Sequence, residues 1–232
     1  MMDAGQPIYT LDDARIQAIS PDLILAQDLC RVCAVPSGDV AAALDVVGCQ
    51  AQVVSLDPTT LDEVIAGIGI VGRATGTVEL AAELMGNLRA RVEAVKDRVG
   101  ALPRRRVLVI EWADPPFNAG HWVPDMILAA GGEPILAEPG ARSVRLDWDQ
   151  IADASADVVV FAPCGFDLEG AVDQAGPLLV RPELRGAAPF YAVDANAHYS
   201  RPGPRVVDGV EVLAELLHGD DTTVSAHARR LR

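Results

Sequence analysis

Thr77-Val78-Glu79-Leu80-Ala81-Ala82-Glu83-Leu84-Met85-Gly86-Asn87-Leu88-Arg89-Ala90-Arg91-Val92-Glu93-Ala94-Val95-Lys96-Asp97-Arg98-Val99 is the stretch on which the reading of the fold turns. Within it Ala81, Leu84, Met85, Leu88, Val92, Val95 and Val99 fall at i, i+3, i+4, i+7, i+11, i+14 and i+18, which lays one apolar stripe along an α-helix. A single amphipathic rod over residues 77–99 follows, about 35 Å long at 1.5 Å per residue, the span of a whole lobe. In the middle of a chain of 232 residues such a helix is a connector, so its flanks decide the architecture.

On the N-terminal side, residues 12–19 read as a short helix with Ile16 and Ile19 inward, ended by Ser20-Pro21. Asp22-Leu23-Ile24-Leu25-Ala26 is then a strand, a continuous apolar run suited to a parallel sheet covered on both faces. Gln52-Val53-Val54-Ser55-Leu56-Asp57 is a second strand, and Pro58-Thr59-Thr60 opens a helix reaching about Ile68. On the C-terminal side, Arg106-Val107-Leu108-Val109-Ile110-Glu111-Trp112 is a strand, 123–130 a helix stopped by Gly131-Gly132, 157–161 and 190–194 are strands, and 205–217 is a closing helix.

The two sides repeat each other. The segment from Asp12 to Leu25 lies on that from Asp147 to Val160 without a gap, so that Ile16 meets Ile151, Ser20 meets Ser155 and Asp22 meets Asp157. Each unit is a helix, a tight Ser-x-Asp turn and a buried strand leading into a cysteine-bearing loop, and the next strand in each half ends in Asp, at Asp57 and Asp194. The expectation is an α/β protein of two similar parallel-sheet lobes joined by one long helix: N-terminal lobe 1–76, connecting helix 77–100, C-terminal lobe 101–219 and polar tail 220–232. The strand, loop and helix between Arg106 and Leu146 have no counterpart in the eleven residues before Asp12. The first lobe is therefore expected to lack its opening strand and helix.

Composition removes several function classes. Thirty-three acidic residues against nineteen Lys and Arg give a net charge of -14, which repels polyphosphate backbones and excludes nucleic acid as a partner. No apolar run approaches the roughly 20 residues of a membrane helix, so the chain is not expected to span a bilayer. Four cysteines in a chain of this length exclude a disulfide scaffold. The first residues show no signal peptide, which as the sequence stands points to the cytoplasm; a missing N-terminal segment would make the location extracytoplasmic.

Three local patterns could carry chemistry. Gly67-Ile68-Gly69-Ile70-Val71-Gly72 spells the dinucleotide pattern, whose mechanism needs a strand before it and a helix opening within it; here the preceding residues read as helix, favouring a glycine-rich connection between helices. Cys30-Arg31-Val32-Cys33 suits a redox couple or half a zinc site, or simply a pair lining a loop, and Asp28 stands just before it. Glu111-Trp112-Ala113-Asp114-Pro115-Pro116-Phe117-Asn118-Ala119-Gly120-His121-Trp122-Val123-Pro124 gathers rings in a chain that is only 4% aromatic. At the C-terminal end of a parallel strand, where such sheets bind ligands, that concentration reads as a ligand wall. His121 is either a hydrogen-bonded loop histidine or an axial metal ligand. Phe166, in Pro163-Cys164-Gly165-Phe166-Asp167, and Tyr199, in the loop after the last strand, belong to the same rim. No catalytic signature occurs.

The run from Pro21 to Val35, the stretch from Glu111 to Pro124, Pro163-Cys164-Gly165-Phe166-Asp167 and the run from Asn196 to Pro204 together resemble the cobalamin-binding, periplasmic-binding-protein-like family of ABC-transporter substrate-binding proteins, a likeness running from about Tyr9 to His218. The resemblance implies two α/β lobes bridged by a rigid helix and non-catalytic capture of a corrinoid, cobalamin-like ligand in the cleft, for hand-over to an ABC-transporter permease. It implies no intrinsic cofactor, with cobalamin as the bound ligand, and no protein-held metal. Trp112, Phe117, His121, Trp122, Phe166 and Tyr199 would line one wall, with Asp28, Cys30 and Cys33 near the other. The wider superfamily also takes iron-siderophores and haem. Family members begin with a further strand and helix, and exported ones carry a signal peptide or lipid-anchor cysteine; this sequence shows neither, so a cytoplasmic relative stands beside the uptake component. The rivals are an NAD-dependent oxidoreductase built on Gly67 to Gly72 and a thiol or metal protein centred on Cys30 and Cys33.

Overall fold

The computed structural model describes residues 12–27, 38, 44, 50–184, 188–219 and 225–232. Helix α1 (Asp13–Ile19) starts on Asp12, whose carboxylate accepts from the Arg15 N–H, and ends at Ser20 in the left-handed region, φ 49°. Strand β1 (Leu23–Ala26) pairs in parallel with β2 (Gln52–Ser55), Leu23 opposite Gln52 and Ala26 opposite Ser55. Leu25 stays 47% exposed, so β1 is half-buried rather than covered on both faces.

Helix α2 (Leu61–Thr75) opens on a reciprocal capping box between Thr60 and Glu63 and stops at Gly76, φ 71°. It runs past the expected end near Ile68, carrying Gly67, Gly69 and Gly72 inside one continuous helix. The reason lies in packing. A Cβ on Gly72 would fall onto the Ala81 side chain, so glycine there lets α2 lie close against the next helix.

That helix, α3 (Val78–Val99), is the expected rod, with Ala81, Leu88, Val92, Val95 and Val99 buried. Leu84 and Met85 pack partly buried against the same core. The rod is not a free span. Its apolar stripe joins one cluster with α2 and with Val107, Val109, Val158 and Val160 of the second lobe's sheet. Arg91 fastens it to that lobe: Nε donates to Glu211 Oε1 at 2.9 Å and Nη2 to Glu211 Oε2 and Asp208 Oδ1, both at 2.6 Å. Hydrogen bonds donated to those two carboxylates push the guanidinium pKa above its usual value.

The second lobe holds a six-stranded sheet in the order β4-β3-β6-β7-β8, with β5 on the outer edge of β3. Strands β3 (Arg105–Ala113), β6 (Val158–Phe161) and β7 (Phe190–Val193) are parallel; β4 (Pro116–Asn118) and β8 (Ala228–Arg230) run antiparallel at the two edges, and β5 (Gly132–Pro134) is parallel to β3. Strand alternation sorts the core into two layers. Val107, Val109, Val158 and Val160 face the rod, α4 (Val123–Ala129) and α8 (Val206–His218). Leu108, Ile110, Val159 and Phe161 face α5 (Trp148–Asp153) and α6 (Leu168–Leu179). Helix α7 (Ala195–His198) is one turn, capped by Asp194.

Ser20 and Ser155 both sit at positive φ, 49° and 52°, at the ends of α1 and α5, so the internal repeat holds down to the backbone of its turn. Residues 228–230, which the sequence reading assigned to a polar tail, form β8 on β7, with Ala228 buried.

Candidate functional site

The loops leaving the C-terminal ends of β3, β6 and β7 form one rim. The loop after β3 is tied down by polar side chains. Asn118 is buried and brackets a neighbouring loop at both ends, its Nδ2 donating to Leu136 O at 2.5 Å and its Oδ1 accepting from Val144 N–H at 2.6 Å. Glu111 accepts from Gly120 N–H at 3.2 Å and from Ser143 Oγ–H at 2.5 Å. A Cβ on Gly120 would collide with the Ser143 backbone, so glycine permits this crossing. Burial of the Glu111 carboxyl pushes its pKa up to about 7, against the hydrogen bonds from Ser143 and Gly120.

The six rings expected on one wall are sorted by the sheet onto two sides. Trp112 continues the Leu108–Ile110 side beyond the sheet edge, 45% exposed, its Nε1–H donating to Asp114 O at 3.2 Å. It lies 6.5 Å, centroid to centroid, from half-buried Phe166 and is the cross-strand partner of Phe117. Trp122 and Tyr199 belong to the other side and are buried in the core against the rod and α8. Trp122 Nε1–H donates to Tyr199 O at 2.9 Å, and Tyr199 Oη–H donates to Gly209 O at 3.1 Å. Both side chains have every polar group engaged inside the protein, which corrects their placement as lining residues: they brace the rim from within. Desolvation raises the Tyr199 phenol pKa, in keeping with an unionised donor.

His121 sits at φ 53° between these groups, its ring 5.9 Å from Trp122. Its Nε2 is enclosed without a hydrogen-bond partner among the described residues, and burial, then Arg142, lowers its pKa. The ring is neutral at pH 7, and Nε2 is not presented to a ligand as an axial donor. Its backbone pairs with the neighbouring loop, N–H to Ala141 O at 2.6 Å and O from Gly140 N–H at 3.0 Å.

Among the described residues, the first lobe approaches this rim around the start of α2. Asp125 of α4 accepts from the Leu61 N–H at 3.0 Å, adding a carboxylate to the start of α2. The loop tip at Gly140 lies within van der Waals reach of Thr59 and Thr60, since a Cβ there would be 3.9 Å from each. A hollow of about 890 Å³ lies between α2, α3 and α4 and contains none of the expected site residues. The expected far-wall residues Asp28, Cys30 and Cys33 lie outside the described residues. Cys164 is free and exposed on the rim. The described residues contain no group of three or more His, Cys, Asp or Glu placed to hold a metal, and no helix long and apolar enough to cross a membrane.

The dinucleotide rival fails on geometry. Gly67, Gly69 and Gly72 lie in mid-helix with their N–H groups committed to the helix, no strand precedes them directly, and no helix N-terminus opens among them.

A family model described as periplasmic binding protein matches residues 10–178. Cobalamin-binding proteins of two strains of Halobacterium salinarum are 28% identical over 235 residues, covering 97% of this chain; the chain spans 60% of their length. Among solved structures, an ABC transporter substrate-binding protein of Listeria monocytogenes superposes with a TM-score of 0.75 at 16% identity, covering 90% of this chain and 81% of that one. A periplasmic heme-binding protein of Pseudomonas aeruginosa gives 0.73 at 18%, covering 95% and 81%, and the periplasmic vitamin B12 binding protein of Vibrio cholerae 0.66 at 18%, covering 88% and 77%. At these identities the structural likeness establishes the fold.

Proposed function

The chain belongs to the periplasmic binding protein family, and from that premise we propose that it captures a corrinoid, cobalamin-like ligand at the rim of its second lobe and passes it to an ABC-type permease without chemical change. The observation that carries this reading is Trp112: an indole left 45% exposed at the end of a central strand, beside Phe166, when other large rings of the same rim are buried. A broad apolar face held at low entropy cost suits a large flat ligand with an apolar edge. The cobalamin-binding relatives, matched over nearly the whole chain, favour the corrinoid over the other large cofactors.

Calorimetric titration with cyanocobalamin tests it, with haemin and a ferric hydroxamate run beside it. Saturable one-to-one heat at micromolar concentration or below, corresponding to about -8 kcal/mol or better, is expected for cyanocobalamin, with Trp112→Ala weakening it about tenfold. No heat at hundreds of micromolar, or tighter binding of haemin or the siderophore, overturns the corrinoid assignment.

A further inference from the structure

Behind the rim, on the side of the sheet facing α5 and α6, lies a second cavity of about 400 Å³. Its walls include Trp112, Trp148, Phe161 and Phe166, four of the ten aromatic residues of the chain. Three polar side chains line it, Arg181, Asp114 and Gln174. Arg181 follows α6 and spreads its guanidinium over the Trp148 ring at 3.9 Å from the centroid. Its ion pair with Glu183 is long, 3.8 Å, and the guanidinium makes no hydrogen bond among the described residues. A planar cation whose only ion pair among the described residues is a long one, stacked on an indole inside an aromatic box, is a pre-arranged recognition element for a flat ring carrying a negative group. The volume falls in the range of small-ligand sites.

We infer that this cavity is a binding site for a small planar aromatic anion, an aryl carboxylate or aryl phosphate, whose ring packs between Trp112, Phe166 and Trp148 while its anionic edge meets Arg181. The site shares Trp112 and Phe166 with the proposed corrinoid wall but adds Arg181 as a charged element that the corrinoid reading does not use, and a small probe examines it with no corrinoid present. Asp114 gives the site a sign. A carboxylate on the lining opposes an anion, so neutralising Asp114 favours the ligand while loss of Arg181 disfavours it.

Two of the three tryptophans line the cavity, so indole fluorescence of the full chain reports occupancy. The probes are naphthalene-2-carboxylate, its neutral carboxamide, and cyclohexanecarboxylate. Saturable quenching by the naphthoate is expected, about tenfold tighter than by either control, a difference near 1.4 kcal/mol. Arg181→Ala removes the preference for carboxylate over carboxamide, Arg181→Lys retains part of it, and Asp114→Asn increases it. Quenching by the naphthoate that stays linear into the millimolar range, or a carboxylate preference unchanged in Arg181→Ala, overturns the inference. The Lys and Asn variants keep the test valid where the alanine variant fails to fold.

Discussion

Glu111 ends the buried part of β3 with its carboxyl enclosed by Gly120 and Ser143, and burial holds its pKa near 7 against an ordinary 4.5. Between those pH values the folded protein keeps a proton that the unfolded chain has released. The stability it contributes is therefore full below about 4.5 and is lost as pH rises through 7, by an amount on the order of 3 kcal/mol at most. His121, His198 and His218 act in the opposite sense: burial lowers each pKa, so they lose stability as pH falls through about 6.5. Urea unfolding of wild type and Glu111→Gln at several pH values separates the two, since the difference between the proteins isolates Glu111. That difference is expected to shift against wild type on going from pH 4.5 to 8, and a constant difference refutes the assignment. Tyr199→Phe is expected to cost about 1 kcal/mol by removing the buried hydrogen bond from its hydroxyl to the Gly209 carbonyl. The aromatic concentration around Trp112 was legible from composition alone, but which rings would be walls was not. Trp122 is the N-cap of α4, and its burial is set by distant Tyr199 and α8, a contact that a single sequence does not display. Trp148 and Arg181 carried no signal at all, because their stacking joins the first residue of α5 to a residue just after α6, which no periodicity links.

At the scale of elements, α2 shows how a familiar spelling is overridden by packing. Its three glycines are expected to behave differently. Gly67→Ala adds a Cβ into open space within a helix and stabilises by about 0.5 to 1 kcal/mol, whereas Gly72→Ala drives a Cβ into Ala81 and destabilises by about 1 to 3 kcal/mol. Thermal melts of the two variants check the signs; a stabilised Gly72→Ala contradicts the close approach of α2 and α3. Asp125→Ala is expected to cost about 1 kcal/mol, as the loss of a cap on α2 supplied from the other lobe. The rod, the main strands and the repeat were readable because long amphipathic periods and continuous apolar runs are strong signals. Strands β4, β5 and β8 were missed, each being three residues long and defined by a partner strand rather than by its own pattern. Helix α2 was cut short because glycine argues locally for a stop, and only the surface of α3 argues otherwise.

For the whole molecule, the rod and the Arg91 clamp make α3 part of the second lobe, leaving the junction around Leu61 and Asp125 as the place where the lobes adjust. A stiff connector fastened at one end permits little rotation. Small-angle scattering is expected to give a radius of gyration of about 17 Å, changing by less than about 1 Å on ligand addition; a larger contraction contradicts the rigid connection. Arg91→Ala, which leaves two carboxylates without their shared cation, is expected to increase that contraction. The loop bracketed by Asn118 adds a further consequence. Asn118 closes its neck, Glu111 and His121 hold Ser143, Ala141 and Gly140 along its length, and its tip at Gly140 comes near Thr59 and Thr60. It works as a doorstop. On the capture proposed above, changing its length resets the resting gape of the jaws, and with it how large a guest is admitted.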